Sequence, residues 1–301
     1  EELLMYADTA MNKAKSEGKN SIRLYNRDIK HEVIKKIDMQ NKLRKALELD
    51  EFFLQYQPQY SLKTGLIRGI EALVRWKSPS LGIVKPNDFI PVAEEMGYIV
   101  PLGKWALKKA CCDAAKWEKE FGYTGLISVN VSARQLNNAD FVETIREAIV
   151  TSGVNPKKLE LEITESMFIS SFETAVPKLA DIIDLGARIC LDDFGKGYSS
   201  LGYLMQLPID TLKIDKSFIA HTETNMIKSN IAASIAALVN DLGIESIVEG
   251  VETEKQFEFI RHTRTNDLQG FLFSRPVNED MIGEILERNN RGIPFNGVLK
   301  N

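Results

Sequence analysis

The chain has 301 residues, of which 44% are hydrophobic and 27% charged, with a formal net charge of −4. That is enough apolar material for one large core or two domains, and the lack of a basic stripe argues against duplex nucleic acid while leaving room for a small charged nucleotide held by a metal. No signal peptide or membrane span is expected, and three cysteines, two of them adjacent, make no disulfide framework and suit a reducing cytoplasm.

Residues 1–15 carry Leu4, Ala7, Met11 and Ala14 at the spacing of an amphipathic helix. Gly18 is a good stop, and residues 22–25 read as a short strand. One helix and one strand cannot bury a core, so residues 1–27 read as the tail of a domain whose larger part is missing. Residues 28–48 form a polar linker helix with Ile34, Ile37, Met39, Leu43, Ala46 and Leu47 as its apolar stripe.

From residue 49 the pattern changes to alternating strands and helices. Strands are expected over 53–58, 67–76, 126–132, 159–165, 188–193, 211–215, 245–251 and 268–273. Helices are expected over 87–95, 102–121, 141–152, 172–185, 201–205, 227–242, 254–262 and 279–289. Eight such strands over 49–290 predict an α/β fold of the TIM-like (β/α)8 type, with 291–301 as a tail. An open doubly wound sheet is the runner-up, but no Gly-x-Gly-x-x-Gly follows the first strand.

The most informative stretch is Arg188-Ile-Cys-Leu-Asp192-Asp193-Phe-Gly195, a buried strand ending in two adjacent carboxylates. Two neighbouring aspartates repel each other, so burying both requires positive charge. The Asp193-Phe-Gly triplet lacks the other kinase motifs, and Gly195-Lys196-Gly197 lacks P-loop spacing.

Barrel enzymes place their chemistry at strand C-termini. There the chain carries Glu71, Leu73 and Arg75 on one face, then Ser128 and Asn130, Glu160 and Glu162, the aspartate pair, Lys213 with Asp215, Glu249, and Gln269. A lone polar residue at such a point is usually a rim charge; seven strand ends in succession are not. Only three histidines occur, so a metal site here is oxygen-liganded and favours Mg²⁺ or Mn²⁺ over Zn²⁺. Such a cluster suits two divalent cations roughly 3.5–4 Å apart, the arrangement used in phosphoryl displacement. Arg75 suits a phosphate contact.

These residues resemble the EAL domains, the cyclic-di-GMP phosphodiesterases. Glu71-Ala-Leu-Val-Arg75-Trp76 is similar to the signature, and further matches follow: Tyr56-Gln57-Pro58, Ser128-Val-Asn130, Glu160-Leu-Glu162-Ile-Thr-Glu165, Asp192-Asp193-Phe-Gly, Leu212-Lys213-Ile-Asp215, Val248-Glu249-Gly and Gln269-Gly-Phe-Leu-Phe-Ser-Arg-Pro276. The resemblance implies hydrolysis of cyclic-di-GMP to linear pGpG. It implies that Glu71, Asn130, Glu162 and Asp192 hold one metal, and that Asp192, Asp193 and Glu249 hold a second. Lys213 would orient the attacking water beside Asp215, and Glu165 would anchor the loop after Asp193. Gln57, Leu73, Arg75, Asn130 and Gln269 would face the substrate.

A homodimer through the region after Asp193 is implied as well. Ala7-Asp8-Thr9-Ala10-Met11 with Gly18-Lys19-Asn20 resembles the end of a GGDEF (diguanylate cyclase) domain, which implies upstream GGDEF and sensor domains. Two departures stand out: Lys196 replaces the family's usual small residue, and Thr263-Arg-Thr-Asn-Asp267 stands where a Gly-Cys pair often precedes Gln269. The competing function is a receptor that binds the nucleotide without cleaving it.

Overall fold

The computed structural model describes residues 27–195, 201–220 and 226–294, with isolated positions before residue 27. Nine strands are formed among them: β1 (Phe52–Ser61), β2 (Ile67–Ser78), β3 (Gly82–Val84), β4 (Leu126–Val131), β5 (Leu159–Thr164), β6 (Arg188–Phe194), β7 (Thr211–Ile214), β8 (Glu245–Val248) and β9 (Asp267–Leu268). The chain divides into two compact units, residues 1–52 with 76–98, and residues 53–75 with 99–301.

In the first unit, helix Arg27–Ala46 buries Met39, Leu43 and Ala46, spaced as one helical stripe. Helix Pro86–Met96 buries Phe89, Val92 and Ala93 and stops at Gly97, whose φ of 75° suits a residue without a Cβ. Rings of Phe52, Trp76 and Phe89 pack with centroids 5.7–5.8 Å apart. Strand β3, not expected from the sequence, pairs antiparallel with Trp76–Ser78. Tyr6, Ala7, Ala10, Met11 and Ala14 are helical, whereas Ile22 and Leu24 are exposed and lie in no strand. The expectation of a strand over 22–25 therefore fails at those two positions, and residues 23 and 25 lie outside the described residues.

The second unit is the barrel. Its sheet order is β1-β9-β8-β7-β6-β5-β4-β2, and β1 also pairs with β2, which closes the ring. Seven strands run parallel in succession, but β1 is antiparallel to β9. The cause is local: only residues 62–66 join β1 to β2, and a parallel return needs a crossover of about a dozen residues. Strands β8 and β9 end earlier than the sequence suggests, which leaves Glu249 and Gln269 just past them. A Cβ on Gly270 would stand 2.1–2.6 Å from the Val251 backbone, so the chain turns away there. The helix expected from 172 begins at Ser166, and the one expected from 102 begins at Ile99, with Pro101 in the first turn where its missing donor does no harm.

Side-chain alternation sorts the two faces of each strand. Ile70, Ala72, Ile127, Val129, Leu161, Ile163, Ile189, Leu191, Leu212 and Ile214 belong to the apolar core. The inward positions are polar. At the barrel's N-terminal end, Arg68 grips Glu160 through two bonds of 2.6 and 2.9 Å, and also donates to Thr211 (2.7 Å) and Glu245 (3.0 Å). Arg188 adds a contact to Glu245 at 2.7 Å.

Asp267 completes this layer, with its carboxylate 3.4 Å from Arg68 Nε. Burial pushes Asp267 up to about 7, against the pull of Arg68. A carboxylate raised above its unfolded value stabilises fully below that value, and the stabilisation is lost as pH rises through 7. The chain is therefore expected to lose up to roughly 4 kcal/mol between pH 4 and pH 8 from this group. Asp267→Asn should flatten the urea midpoint over that window; an unchanged pH slope would remove Asp267 as its source.

Candidate active site

The C-terminal mouth of the barrel gathers residues from most of its strands. Lys213, buried on β7, places its Nζ 2.8 Å from Glu162, 2.7 Å from Glu249, 3.4 Å from Glu71 and 3.8 Å from Asp192. Glu71 is held further by the amides of Asn130 (2.7 Å) and Gln269 (2.7 Å). One ammonium thus faces four carboxylates within 4 Å.

The ionisation of these groups follows from that imbalance. Burial alone would lower Lys213, but the surrounding carboxylates raise it well above its ordinary value and keep it charged. Burial and the repulsion of Glu71 push Glu162 well up. Burial pushes Glu249 up to about 8 despite Lys213, with Asp192 and Glu71 adding repulsion. Burial likewise raises Asp192, with Lys213 opposing it. Glu71 goes the other way: Lys213 and the two amide donors outweigh its burial.

Asp192 and Asp193 solve a geometric problem. Successive residues of a regular strand face opposite sides, so an aspartate pair would present only one carboxylate. The β6–β7 register shifts between Leu191 and Phe194, and Asp193 adopts a φ of 58°. Its N–H turns back onto Asp192 Oδ1 at 2.7 Å. With alternation broken, Asp192, Asp193 and Glu249 each offer an oxygen, all within 4.8 Å of one another. A left-handed backbone costs on the order of 1 kcal/mol or more, and aspartate is among the residues that tolerate it best.

The donor set consists of carboxylates with one amide, contains no histidine, and carries excess negative charge, which fits a hard divalent cation. A second group of potential donors, Glu160, Glu162 and Cys190, does not fit one. Glu160 is already neutralised by Arg68, which with Thr211 holds it at about 2 against its burial, and burial keeps the Cys190 thiol protonated.

The remaining expected residues lie around this centre. Gln57, inward on β1, accepts from Gln269 at 3.2 Å and donates to the Ser274 carbonyl at 3.0 Å. Arg75 is half-buried and held by Gln55 (2.8 Å), while Leu73, also half-buried, shares the parity of Glu71. Glu165 accepts the Gly195 N–H at 3.1 Å, tying the end of β5 to the segment after β6. Asp215 caps the turn Lys216–Phe218 by accepting from the Ser217 N–H at 2.9 Å. Lys196 lies outside the described residues.

Sequence reasoning missed Gln59 and Arg68. Gln59 is fully buried and touches both Glu162 (3.4 Å) and Gln269 (3.3 Å). The signal was available, because Gln57 and Gln59 share a parity on one strand.

An eight-stranded barrel with one antiparallel strand and an acidic mouth defines an α/β barrel with an oxygen-rich candidate cation site. The EAL domain profile matches residues 40–276. The chain is 36% identical to cyclic di-GMP phosphodiesterase NbdA of Pseudomonas aeruginosa, covering 95% of this chain and 36% of that relative. It is 36% identical to cyclic di-GMP phosphodiesterase PdeR of Escherichia coli K12, covering 91% of this chain and 41% of that relative. A solved structure, the PaMucR phosphodiesterase in a c-di-GMP complex, superposes with a TM-score of 0.78 at 38% identity, covering 81% of this chain and 99% of that one. The chain belongs to the EAL domain family. It spans about a third to two-fifths of the length of these two curated relatives.

Proposed function

We propose that this chain hydrolyses cyclic-di-GMP to linear pGpG with the help of two divalent cations, Mg²⁺ or Mn²⁺. The observation that carries the reading is the set of four carboxylates facing Lys213 at the mouth of an EAL barrel. Relatives that bear the name of this activity, and a related phosphodiesterase solved with c-di-GMP, support it.

In this reading Glu71, Asn130, Glu162 and Asp192 hold one cation, while Asp192, Asp193 and Glu249 hold the other. When bound, such cations lower the pKa of water and offset charge developing on phosphate. Lys213 orients the attacking water, with Asp215 fixing the turn that follows it. Attack on one phosphorus breaks its bond to a ribose 3′ oxygen, leaving a 3′-hydroxyl and a 5′-phosphate. Gln57, Leu73, Arg75 and Gln269 position the dinucleotide, and Glu165 couples the site to the segment after Asp193, through which two copies pair.

The chain works in the cytoplasm, in keeping with three free cysteines. Among the described residues no helix is long and apolar enough to cross a membrane. Residues 1–27 are the end of a GGDEF domain that, with a sensor, precedes a linker helix and the EAL domain at 49–290, ahead of a tail at 291–301. Relatives match beyond the profile's 40–276, over 94–95% of the chain, so most of the stretch before residue 40 is shared with them.

The test is incubation of the chain with cyclic-di-GMP in Mg²⁺, Mn²⁺ or chelator, followed by chromatography. Metal-dependent pGpG is expected. Intact nucleotide that nevertheless binds would make the chain a receptor.

A further inference from the structure

Three buried amides line the path from the N-terminal ion layer of the barrel to the acidic mouth. Each is a glutamine, and each has two faces that differ only in which atom donates and which accepts. The orientation of a glutamine amide follows from its partners, and here the first partner leaves no choice. Arg68 carries only donors. One Nη1 hydrogen goes to Glu160 at 2.6 Å, and Nη1 also meets Gln59 Oε1 at 3.1 Å. Gln59 must therefore direct its oxygen at Arg68 and its NH₂ at the mouth. That NH₂ donates to Glu162 Oε1 (3.4 Å) and to Gln269 Oε1 (3.3 Å).

The polarity then propagates. Because Gln269 receives a hydrogen from below, its own NH₂ faces Glu71 Oε2 (2.7 Å) and Gln57 Oε1 (3.2 Å). Gln57 in turn directs its NH₂ to the rim, where it meets the Ser274 carbonyl at 3.0 Å. Reversing Gln59 would set donors against Arg68 and an oxygen against the Glu162 carboxylate. Reversing Gln269 would set an oxygen against Glu71. The backbone makes room for this link: a Cβ on Gly69 would stand 2.9 Å from Gln59 Oε1 and 3.3 Å from Leu126.

We propose that Arg68, acting through Gln59, is the positioning residue that sets the orientation of Gln269 and Gln57 and steadies Glu162, so that a cation remote from the reaction presets both the metal-holding carboxylates and the substrate-facing amides. This rests on the phosphodiesterase reading above for its kinetic consequences, though not for its hydrogen-bond order. Arg68 and Gln59 are not among the residues assigned to the cations, the water or the substrate in that reading.

The decisive variant is Gln59→Met, which keeps the volume and removes the link. The half-activating Mn²⁺ concentration and the KM for cyclic-di-GMP should each rise about tenfold, the usual scale for losing a partner of a metal ligand, while thermal stability stays within a few degrees. Gly69→Ala should move both in the same direction by less. Arg68→Met alone strands the Glu160 carboxylate, so it is made together with Glu160→Gln; that pair should reproduce Gln59→Met, and Arg68→Lys should recover most of the loss.

An independent arm uses NMR of the chain with its glutamine amides labelled. The Gln269 side-chain protons should exchange slowly in the wild type and at least about tenfold faster in Gln59→Met. If the wild type itself fails to cleave cyclic-di-GMP, the functional reading falls and this exchange arm still decides the relay. Half-activation and KM within twofold of wild type, or unchanged Gln269 exchange, would overturn the proposal.

Discussion

Glu71→Gln is expected to abolish metal-dependent cleavage of cyclic-di-GMP, by about a thousandfold or more, without unfolding the chain. The carboxylate sits where Asn130, Gln269 and Lys213 converge. Its loss removes a charge the proposed cation needs. Removing the charge relieves repulsion on Glu162 and Asp192, but Lys213 and the amides of Asn130 and Gln269 hold Glu71 below the usual carboxylate range, so its charged form favours the folded state. The replacement amide also sets an NH₂ against one of those two donors. In chelator at neutral pH the variant should therefore stay folded but melt below the parent. Undiminished turnover would remove Glu71 from the site; a melting point equal to the parent's or higher would mean that relief of repulsion outweighs its hydrogen bonds.

Lys213→Met should cost more stability. The ammonium is buried and compensates carboxylates from β2, β5, β6 and the end of β8. Removing one partner of a buried ion cluster costs about 3–5 kcal/mol, which for a domain of this size is roughly 10 °C of melting temperature. The cost should grow with pH, because protons can replace the lysine only below the raised values of its partners, about 8 for Glu249. Millimolar Mg²⁺ or Mn²⁺ should restore most of the lost stability by binding the folded state alone. Hydrolysis should stay lost, since the added cation supplies charge but no group to orient water. Full stability in chelator at pH 8 would show that the cluster does not depend on Lys213.

Some of this was legible without coordinates. Period-two alternation marked the inward positions of β4, β5 and β7, because a strand separates its two faces whatever it packs against. Most helices with a clear apolar stripe were found to within a few residues, the one from Ser166 being placed six residues late. The failures have physical causes. The strand expected over 268–273 is cut short because Gly270 lies against the Val251 backbone, a contact between segments 19 residues apart. The antiparallel first strand could have been inferred from its short connection, but an alternation rule overlooks it. At the aspartate pair both carboxylates were expected to be buried, which a regular strand cannot supply on one face; the register shift and left-handed Asp193 deliver it.

What the sequence determined by itself was the inventory: which strands carry acids at their ends, and that oxygen ligands rather than histidine must serve any metal. Those are properties of residue type and spacing, and both are local. Only the tertiary structure decided the pairings. That one lysine answers four carboxylates, that Arg68 lies beneath Gln59, and that Glu160 belongs to the ion layer at the far end from the mouth all depend on how the strands pair around the barrel. The pairing of β1 with the end of the barrel, at β9 and Val277, brings side chains 223 positions apart into hydrogen-bond contact, as for Gln55 and Asn278, and no local periodicity carries that information.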